Sequence, residues 1–314
     1  MGIITAPCRA ISRRIFLTSL AAAGLQASDA PGDGLYWNAD TADLPGPELR
    51  YRADAQVLLF GVPLLRRENV GGGSVAWRES RDGNSTSRLL EFAAFSSPER
   101  AAGLNRLGLI RELRRETAGA GEFSYFGLMT ASPEESEADA RRALHSAAEQ
   151  QTFSAIDGTV SAGEARSVTA HFVAPASESR DRLIDRARQA IAQPSAANSH
   201  LPSEGAATFL HTLAEAVATP AREQWRYIYA GRMYRMNLLR TPDPKAADLF
   251  RRRGLCAAGE EIVRVTGRVR RETGGKESEF RLWVPKALPY PLPLRIEYQP
   301  KPYLRLLFEA QASF

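Results

Sequence analysis

The sequence predicts an α+β protein built on an antiparallel β-sheet, and three patterns support this fold class. Apolar and polar residues alternate with period two along segments near both ends of the chain, as in strands that cover a core with one face. Turn-forming pairs such as Asp82-Gly83 and Ala230-Gly231 separate these segments. Helical periodicity is concentrated in the middle of the chain, and strands followed by helices and again by strands are the order of an α+β fold.

The first 30 residues have the organisation of an export signal. The arginine pair and the apolar residues that identify it are Arg13, Arg14, Phe16 and Leu17. A basic segment, a short apolar segment and small residues before a cleavage point describe a secretory signal peptide, and the arginine pair resembles the twin-arginine pattern. The apolar stretch 15–25 has about half of the roughly 20 residues that a bilayer-spanning helix needs. We therefore expect cleavage after Ala27 or Ala30 and release of the protein, soluble, into the periplasm or another extracytoplasmic space.

The twin-arginine translocase is then the expected partner during export, and residues 31–314 form the mature protein. We predict one α+β domain, with a helix-rich insertion at about 132–220 between two β-rich halves. Cleavage removes Cys8 and leaves Cys256 without a partner for an intramolecular disulfide. The formal charge of +5 falls to +3, because residues 1–30 hold three arginines and one aspartate. A charge this small and dispersed gives no indication of a nucleic-acid partner.

Period-two alternation places most of the strands. It is clearest at residues 49–59, where apolar residues alternate with Arg50, Arg52 and Asp54. Two C-terminal hairpins are predicted, and their strands cover 263–270 with 280–284 and 294–299 with 304–308. Shorter strands are predicted near residues 75–78, 89–95, 109–116, 123–129, 151–156, 166–173, 225–229 and 232–239. The whole set favours an antiparallel sheet.

Glycine-containing segments mark the predicted turns. Gly274 and Gly275 join the strands of the first C-terminal hairpin, and Asp157-Gly158 is predicted as a turn between two shorter strands. The triple glycine at 71–73 is predicted as a flexible hairpin tip between Arg67 and Trp77. It resembles neither a phosphate-binding loop nor a complete nucleophile elbow, because the residues that those motifs require do not follow it.

Three helices are predicted in the middle of the chain. The first begins after Ser132, where a capping serine, a proline and a glutamate occur in the expected order, and it runs to about Glu149. A second amphipathic helix is predicted at 178–192. A linker rich in serine, alanine and proline follows at 193–202, and a third helix covers 204–218 before Pro220.

The chain offers no recognisable catalytic constellation. Its histidines are His145, His171, His200 and His211, and they occur without the spacing of a zinc motif. The first-turn glutamates of the predicted helix after Ser132 are explained by the helix dipole. We therefore predict a protein that is not an enzyme and has no cofactor.

Aromatic residues at strand spacing are the most suggestive candidates for a binding site. Those that we expect nearest to a shared apolar space are Trp225, Tyr227, Phe280, Trp283 and Tyr298. A curved sheet lined in this way can hold an apolar ligand under a covering helix. The same spacing also suits a packed core between the sheet and the helix at 204–218, so both interpretations stay open at this stage.

The segments 225–235, 280–285 and 292–298, with the sequences WRYIYAGRMYR, FRLWVP and LPLRIEY, resemble the C-terminal half of an uncharacterised family of exported bacterial proteins. That family is similar in architecture to periplasmic lipoprotein carriers. The resemblance implies a curved antiparallel half-barrel with helices packed against its concave face. It covers about a third of the chain and supplies no catalytic residues.

These observations leave two main expectations for function. The first is a non-enzymatic exported envelope protein that binds a lipid or lipoprotein acyl chain in the half-barrel. The second is an envelope scaffold or interaction module with a solid core, no ligand and a protein partner in the envelope. A cofactor-bearing enzyme is the third and least favoured expectation, based only on the use of the twin-arginine route by proteins that fold before export.

Overall fold

The computed structural model describes residues 44–59, 62–97, 99–101, 106–117, 120–131, 150–175, 177–219, 221–275, 277–286, 292–301 and 304–312. The predicted export signal, with Arg13, Arg14, Phe16 and Leu17, lies outside these residues. So does the helix predicted at 132–149.

The described residues form fifteen strands and three helices. The strands are β1 (Glu48–Leu59), β2 (Val62–Asp82), β3 (Ser85–Ser96), β4 (Leu107–Thr117), β5 (Ala120–Thr130), β6 (Gln150–Val160), β7 (Glu164–Pro175), β8 (Ala197–Pro202), β9 (Ala207–Thr208), β10 (Gln224–Tyr229), β11 (Arg232–Pro242), β12 (Ile262–Arg271), β13 (Ser278–Pro285), β14 (Arg295–Lys301) and β15 (Leu304–Ala310). The helices are α1 (Arg180–Ile191), α2 (Phe209–Ala218) and α3 (Pro244–Arg252).

All strands belong to one sheet, whose two halves join at the ends of the described chain. Strands β1 to β8 follow one another in space, as do β15 back to β9, and β1 pairs antiparallel with β15 in the middle. Neighbouring strands are antiparallel except for the short pairing of β9 with β10. The ladder does not continue from β8 to β9 within the described residues, so the sheet is curved and open. The predicted α+β class with a curved antiparallel sheet is confirmed.

The strands β1, β12, β13, β14 and β15 coincide with the clearest alternating segments of the sequence. Two predicted turns are also confirmed, and both require positive φ. Gly83 (φ 54°) closes the β2–β3 hairpin, and Ala230 with Gly231 (φ 51° and 64°) closes the β10–β11 hairpin. Helix α1 matches the helix predicted at 178–192, and its capping serine is Ser179.

Three predictions of irregular structure were wrong. The triple glycine 71–73 lies inside the long strand β2 and pairs with both β1 and β3. A Cβ on Gly71 would come within 2.0 Å of the Phe95 carbonyl oxygen, so glycine here permits close approach of two strands. Asp157 and Gly158 lie inside β6, and the predicted linker at 193–202 contains β8. Strands β6 and β7 therefore continue the sheet through the segment that was expected to be rich in helices.

The concave face is identified by contacts between strands that are far apart in the sheet order. Buried residues from β4 to β7 and from β10 to β13 share one hydrophobic cluster, which only the concave side of a curved sheet permits. Helix α2 packs into this cluster. We call it the concave cluster, and its buried members are Ile110, Tyr125, Met129, Ile156, Val160, Ala165, Ala206, Ala216, Trp225, Tyr227, Ile228, Tyr229, Met236, Leu238, Val265, Leu282 and Val284.

The other two helices pack away from the concave cluster. Helix α1 covers Phe126, Leu128 and Phe153, which are on the other face of β5 and β6, and its Arg180 donates to Glu91 of β3 at 2.7 Å. Helix α3, which was not predicted, begins with Asp243 as N-cap and buries Phe250. Among the described residues, no helix combines the length and apolar composition that crossing a bilayer requires.

Candidate functional site

The concave cluster is the candidate site because the predicted aromatic residues of β10 meet there. Period-two geometry directs Trp225, Tyr227 and Tyr229 to one face of β10, and all three are buried. The Tyr227 ring stacks on Tyr234 with centroids 5.1 Å apart and contacts Phe209 of α2 at 5.0 Å. The aromatic side chains therefore contact one another and α2 directly.

Two glycines on the wall opposite β10 let tyrosine rings lie close to the backbone: Gly127 faces Tyr229 of β10, and Gly158 faces Tyr125 of the neighbouring strand β5. A Cβ on Gly127 of β5 would lie 2.4 Å from the Tyr229 hydroxyl oxygen, and one on Gly158 of β6 would lie 2.4 Å from Cζ of Tyr125. The rings of Tyr125 and Tyr229 are 5.8 Å apart at the centroids. Contacts this close leave no space for a further group between the two walls at this point.

A buried carboxyl group holds the beginning of α2. Thr208, the N-cap residue, makes no capping bond of its own, and Oε2 of Glu112 accepts a hydrogen bond from the His211 backbone N–H at 3.1 Å. The backbone N–H groups of Phe209 and Leu210 also face this carboxyl. Glu112 of β4 thus takes the place of a local capping side chain at the positive end of the helix.

Burial determines the charge of this pair of residues. Glu112 is fully buried, and desolvation raises its pKa to about 7, although hydrogen bonds from Thr208 and the helix backbone oppose the shift. Desolvation also lowers the pKa of His211 to about 3, so its imidazole is neutral. The His211 Nε2 lies 3.3 Å from the Glu112 carbonyl oxygen, which attaches α2 to β4 a second time.

This arrangement suits a structural role for both groups. A general acid or base must reach a substrate, and the two side chains are enclosed by the sheet and α2. The Tyr229 hydroxyl, the Thr212 hydroxyl and Glu112 Oε1 are buried without a hydrogen-bond partner in the described residues, so the interior has polar character as well. Among the described residues, no group of His, Cys, Asp and Glu side chains could hold a metal ion.

The structure separates the five residues predicted to line a cavity. Trp225 and Tyr227 are buried in the concave cluster, and the Phe280 ring packs on it over Gly267. Tyr298 pairs with Phe280 across β13 and β14, is mostly buried, and burial raises its pKa to about 12. These four side chains face the concave side, and whether any of them contacts a ligand stays a prediction.

Trp283 is on the other face of β13. It packs against Phe250 of α3, and its indole Nε1 donates to Asp243 Oδ2 at 2.9 Å. An odd spacing of three residues from Phe280 places the two rings on opposite faces of a strand. The sequence contained this information, because Phe280, Leu282 and Val284 already defined the apolar face.

Two residues important for the site, Glu112 and His211, were not recognised from the sequence as belonging together. Glu112 lies on the same face of β4 as Ile110, and the only signal in the sequence was a carboxylate at a position that faces the core.

A surface depression beside Phe280 and Tyr298 encloses about 10 Å³, which is room for no more than about one water molecule. Its lining residues are Glu279, Phe280, Arg281, Glu297, Tyr298, Gln299 and Arg305.

Comparisons with known proteins add one structural similarity. No protein-family model and no curated protein sequence matches the chain. Among solved structures, the chain is similar to the crystal structure of a β-barrel-like protein of a domain of unknown function, DUF1849, from Brucella abortus. The similarity has 9% sequence identity, covers 85% of this chain and 95% of that chain, and gives a TM-score of 0.43.

Proposed function

We propose that the mature chain is a non-catalytic extracytoplasmic protein that acts by contact with another component of the cell envelope. The observation that carries the proposal is the filled concave face. Helix α2 and the buried tyrosines Tyr125, Tyr227 and Tyr229 occupy the place where a carrier of this shape would hold its ligand. A filled interior leaves the outer surface of the protein as the part that is available for contacts.

A carrier of a lipid or acyl chain is the second candidate. One observation favours it: the apolar stripe of α2, with Phe209, Leu210, Leu213 and Val217, is only partly buried although it packs on the concave cluster. An acyl chain would then lie between α2 and the sheet, beside Trp225, Tyr227, Phe280 and Tyr298. Movement of α2 would have to precede binding, since the helix now occupies that space.

Native mass spectrometry distinguishes these candidates. The mature protein is purified from periplasm under mild conditions, weighed intact, and extracted for lipid analysis. A mass equal to that of the chain alone supports the contact function, whereas a stoichiometric acyl-chain ligand overturns it.

Two matched variants show where any ligand lies. Phe209→Ala removes a ring of α2 that lies 5.0 Å from Tyr227 and would contact the ligand. Phe172→Ala removes a partly buried ring from β7 that stacks with Phe153 on the α1 side at 5.5 Å. A concave-face ligand is lost from the first variant and retained by the second. Loss from both, or from neither, would place the ligand elsewhere.

Export by the twin-arginine route is the second part of the proposal. Because that pathway recognises the arginine pair, the double substitution Arg13→Lys and Arg14→Lys should leave the full-length precursor in the cytoplasm. Arg9→Lys is the matched control, since it changes a nearby arginine outside the pair. Cell fractionation with detection of the processed form measures the outcome. Normal processing of the double variant would contradict this route.

A further inference from the structure

The hairpin between β1 and β2 extends beyond the rest of the sheet. Pairing of β1 with β15 ends at Val57 and Leu304, and pairing of β2 with β3 starts only at Gly71. Beyond these points, within the described part of the chain, β1 and β2 pair only with each other, through Leu58 with Pro63 and Leu59 with Val62. We call the segment from Val62 to Leu65, with its partners in β1, the apolar ribbon.

The β2 side of the apolar ribbon is bare on both faces. Every residue from Val62 to Glu68 is exposed, and the exposed fractions are 66% for Val62, 65% for Leu64 and 61% for Leu65. Val62 and Leu65 pair with Leu59 and Val57 and so lie on one face, whereas Pro63 pairs with Leu58 and lies on the other. Leu64 is the extra residue of the bulge between Pro63 and Leu65. The β1 side is better covered, because Leu58 is buried.

Polarity changes along the ribbon rather than across it. A strand between a core and water alternates apolar and polar residues, but here Val62, Pro63, Leu64 and Leu65 are consecutive and Arg66 and Arg67 follow directly. A change along the axis indicates that the medium itself changes along the axis. Water meeting the apolar region of a bilayer is a medium of that kind.

Basic residues flank Gln56 of β1 at the base of the ribbon. Arg66 of β2 and Arg305 of β15 both pair with Gln56 of β1, and Arg67 occupies the next position. Arg66 is bound by Asp54 at 2.7 Å, whereas Arg67 and Arg305 have no ion-pair partner in the described part of the chain. Two uncompensated arginines beside an apolar tip match the charge of an anionic lipid headgroup layer.

The length of the ribbon also fits this environment. Three strand positions separate Gln56 from the Leu59–Val62 pair, and at about 3.3 Å per residue this is about 10 Å. Apolar elements that lie at a bilayer surface are buried by about 5–10 Å. The apolar positions from Leu65 to Val62 would therefore extend from the headgroups to the acyl boundary, while the arginines remain at the level of the headgroups.

The edge of β2 is unfavourable for a second copy of the chain as an alternative occupant. Among the described residues, 62–69 have no partner strand on one side. Strand addition there is still unfavourable, because Pro63 has no N–H to donate and Arg66, Arg67 and Glu68 are adjacent charges. We propose that the apolar ribbon docks the protein on the surface of an anionic phospholipid bilayer. This inference rests on the proposed contact function and names its partner.

Co-sedimentation with vesicles tests the inference on the mature chain. We expect binding to vesicles of phosphatidylcholine with phosphatidylglycerol, and much weaker binding to phosphatidylcholine alone. Leu64→Ser with Leu65→Ser should weaken binding by roughly tenfold or more, because two side chains that enter the acyl boundary are lost. Arg67→Gln should reduce the part of the binding that salt removes.

Leu239→Ser is the matched control, because Leu239 on β11 is 63% exposed and lies outside the ribbon. It should leave both binding and stability unchanged. In a second measurement, Leu65→Trp should show blue-shifted fluorescence with anionic vesicles, and Leu239→Trp should not.

Failure of the inference is distinguishable from failure of the proposed function. A chain that has no co-purified ligand and does not bind anionic vesicles overturns the membrane inference alone. Equal binding by the double serine variant also overturns it. A concentration-dependent dimer that is lost in that variant, without vesicle binding, assigns the ribbon to a second copy of the chain. A stoichiometric acyl-chain ligand in the purified protein overturns the proposed function instead.

Discussion

The concave cluster and the apolar ribbon contain similar residues in opposite environments. Leu238 and Leu282 are buried in a cluster that includes residues of the other half of the sheet and of α2, whereas Leu64 and Leu65 are 65% and 61% exposed. The difference follows from strand pairing: the sheet curves around the cluster, and the ribbon extends past the last neighbouring strand. Apolar residues in the first region stabilise the fold, and those in the second are available for a contact.

The largest expected difference in the free energy of unfolding is between leucine-to-alanine substitutions in the two regions. Leu238→Ala should lower the free energy of unfolding by about 2–5 kcal/mol, because it leaves a cavity in a packed core. Leu65→Ala should change it by no more than about 0.5 kcal/mol. Denaturant unfolding of both variants measures the contrast. Similar losses would show that the ribbon is covered by the protein and that the comparison is wrong.

A pH series shows whether the interior keeps a carboxyl group neutral. The pKa of Glu112 is about 7 in the folded protein and 4.5 when unperturbed. The unfolded chain therefore ionises first, and stability should fall as pH rises from about 4.5 to about 7 and then level off. Glu112→Gln should remove this loss, which is on the order of 3 kcal/mol.

The pH series also needs a second buried carboxyl group to be taken into account and an exposed glutamate as a control. Asp157, beneath α1, has a pKa raised by burial to about 8, so part of the pH dependence should remain in the Glu112→Gln variant. Glu122→Gln changes an exposed glutamate of β5 and serves as the control. An unchanged pH profile of the Glu112→Gln variant would mean that Glu112 is ionised in the folded protein.

Glycine substitutions test how closely the two walls of the concave cluster approach. Gly127→Ala should cost about 1–3 kcal/mol of stability through overpacking, since its Cβ would lie 2.4 Å from the Tyr229 hydroxyl oxygen on the facing wall. Gly108→Ala is the matched strand control, because no atom lies within 4 Å of the added Cβ. It should leave thermal stability unchanged or raise it slightly. A tolerated Gly127→Ala would indicate a looser interior that could admit a ligand.

The smallest effect is expected at the bulge where the ribbon leaves the sheet. The register of β1 with β2 shifts between Ala53 and Ala55, and Asn69 there has φ 53° while its N–H donates to Asp54 at 2.8 Å. Asn69→Val should cost about 1–2 kcal/mol, because a branched side chain opposes the left-handed conformation. Asn69→Gly should be tolerated. Equal stability of the two variants in thermal unfolding would contradict a strained bulge.

The sequence by itself determined the features that depend on local interactions. The alternation at 49–59 and 280–284 defined strands and their apolar faces, and Gly83 and Gly231 defined turns that need positive φ. Ser179 and the apolar stripe that follows defined α1. Each of these signals lies within a few residues of the element that it specifies, because side-chain period, backbone conformation and capping act over short distances.

Only the tertiary structure decided which elements meet. The pairing of β1 with β15, the capping of α2 by Glu112 and the packing of Trp283 on α3 join residues far apart in the chain. Local patterns also misled where such contacts prevail. The triple glycine 71–73 and Asp157-Gly158 have the composition of turns, yet they lie in strands. Adjacent strands and side chains come so close to Gly71 and Gly158 that a Cβ would not fit there. Composition specifies what a segment can do alone, and close approach of distant segments specifies what it does in the fold.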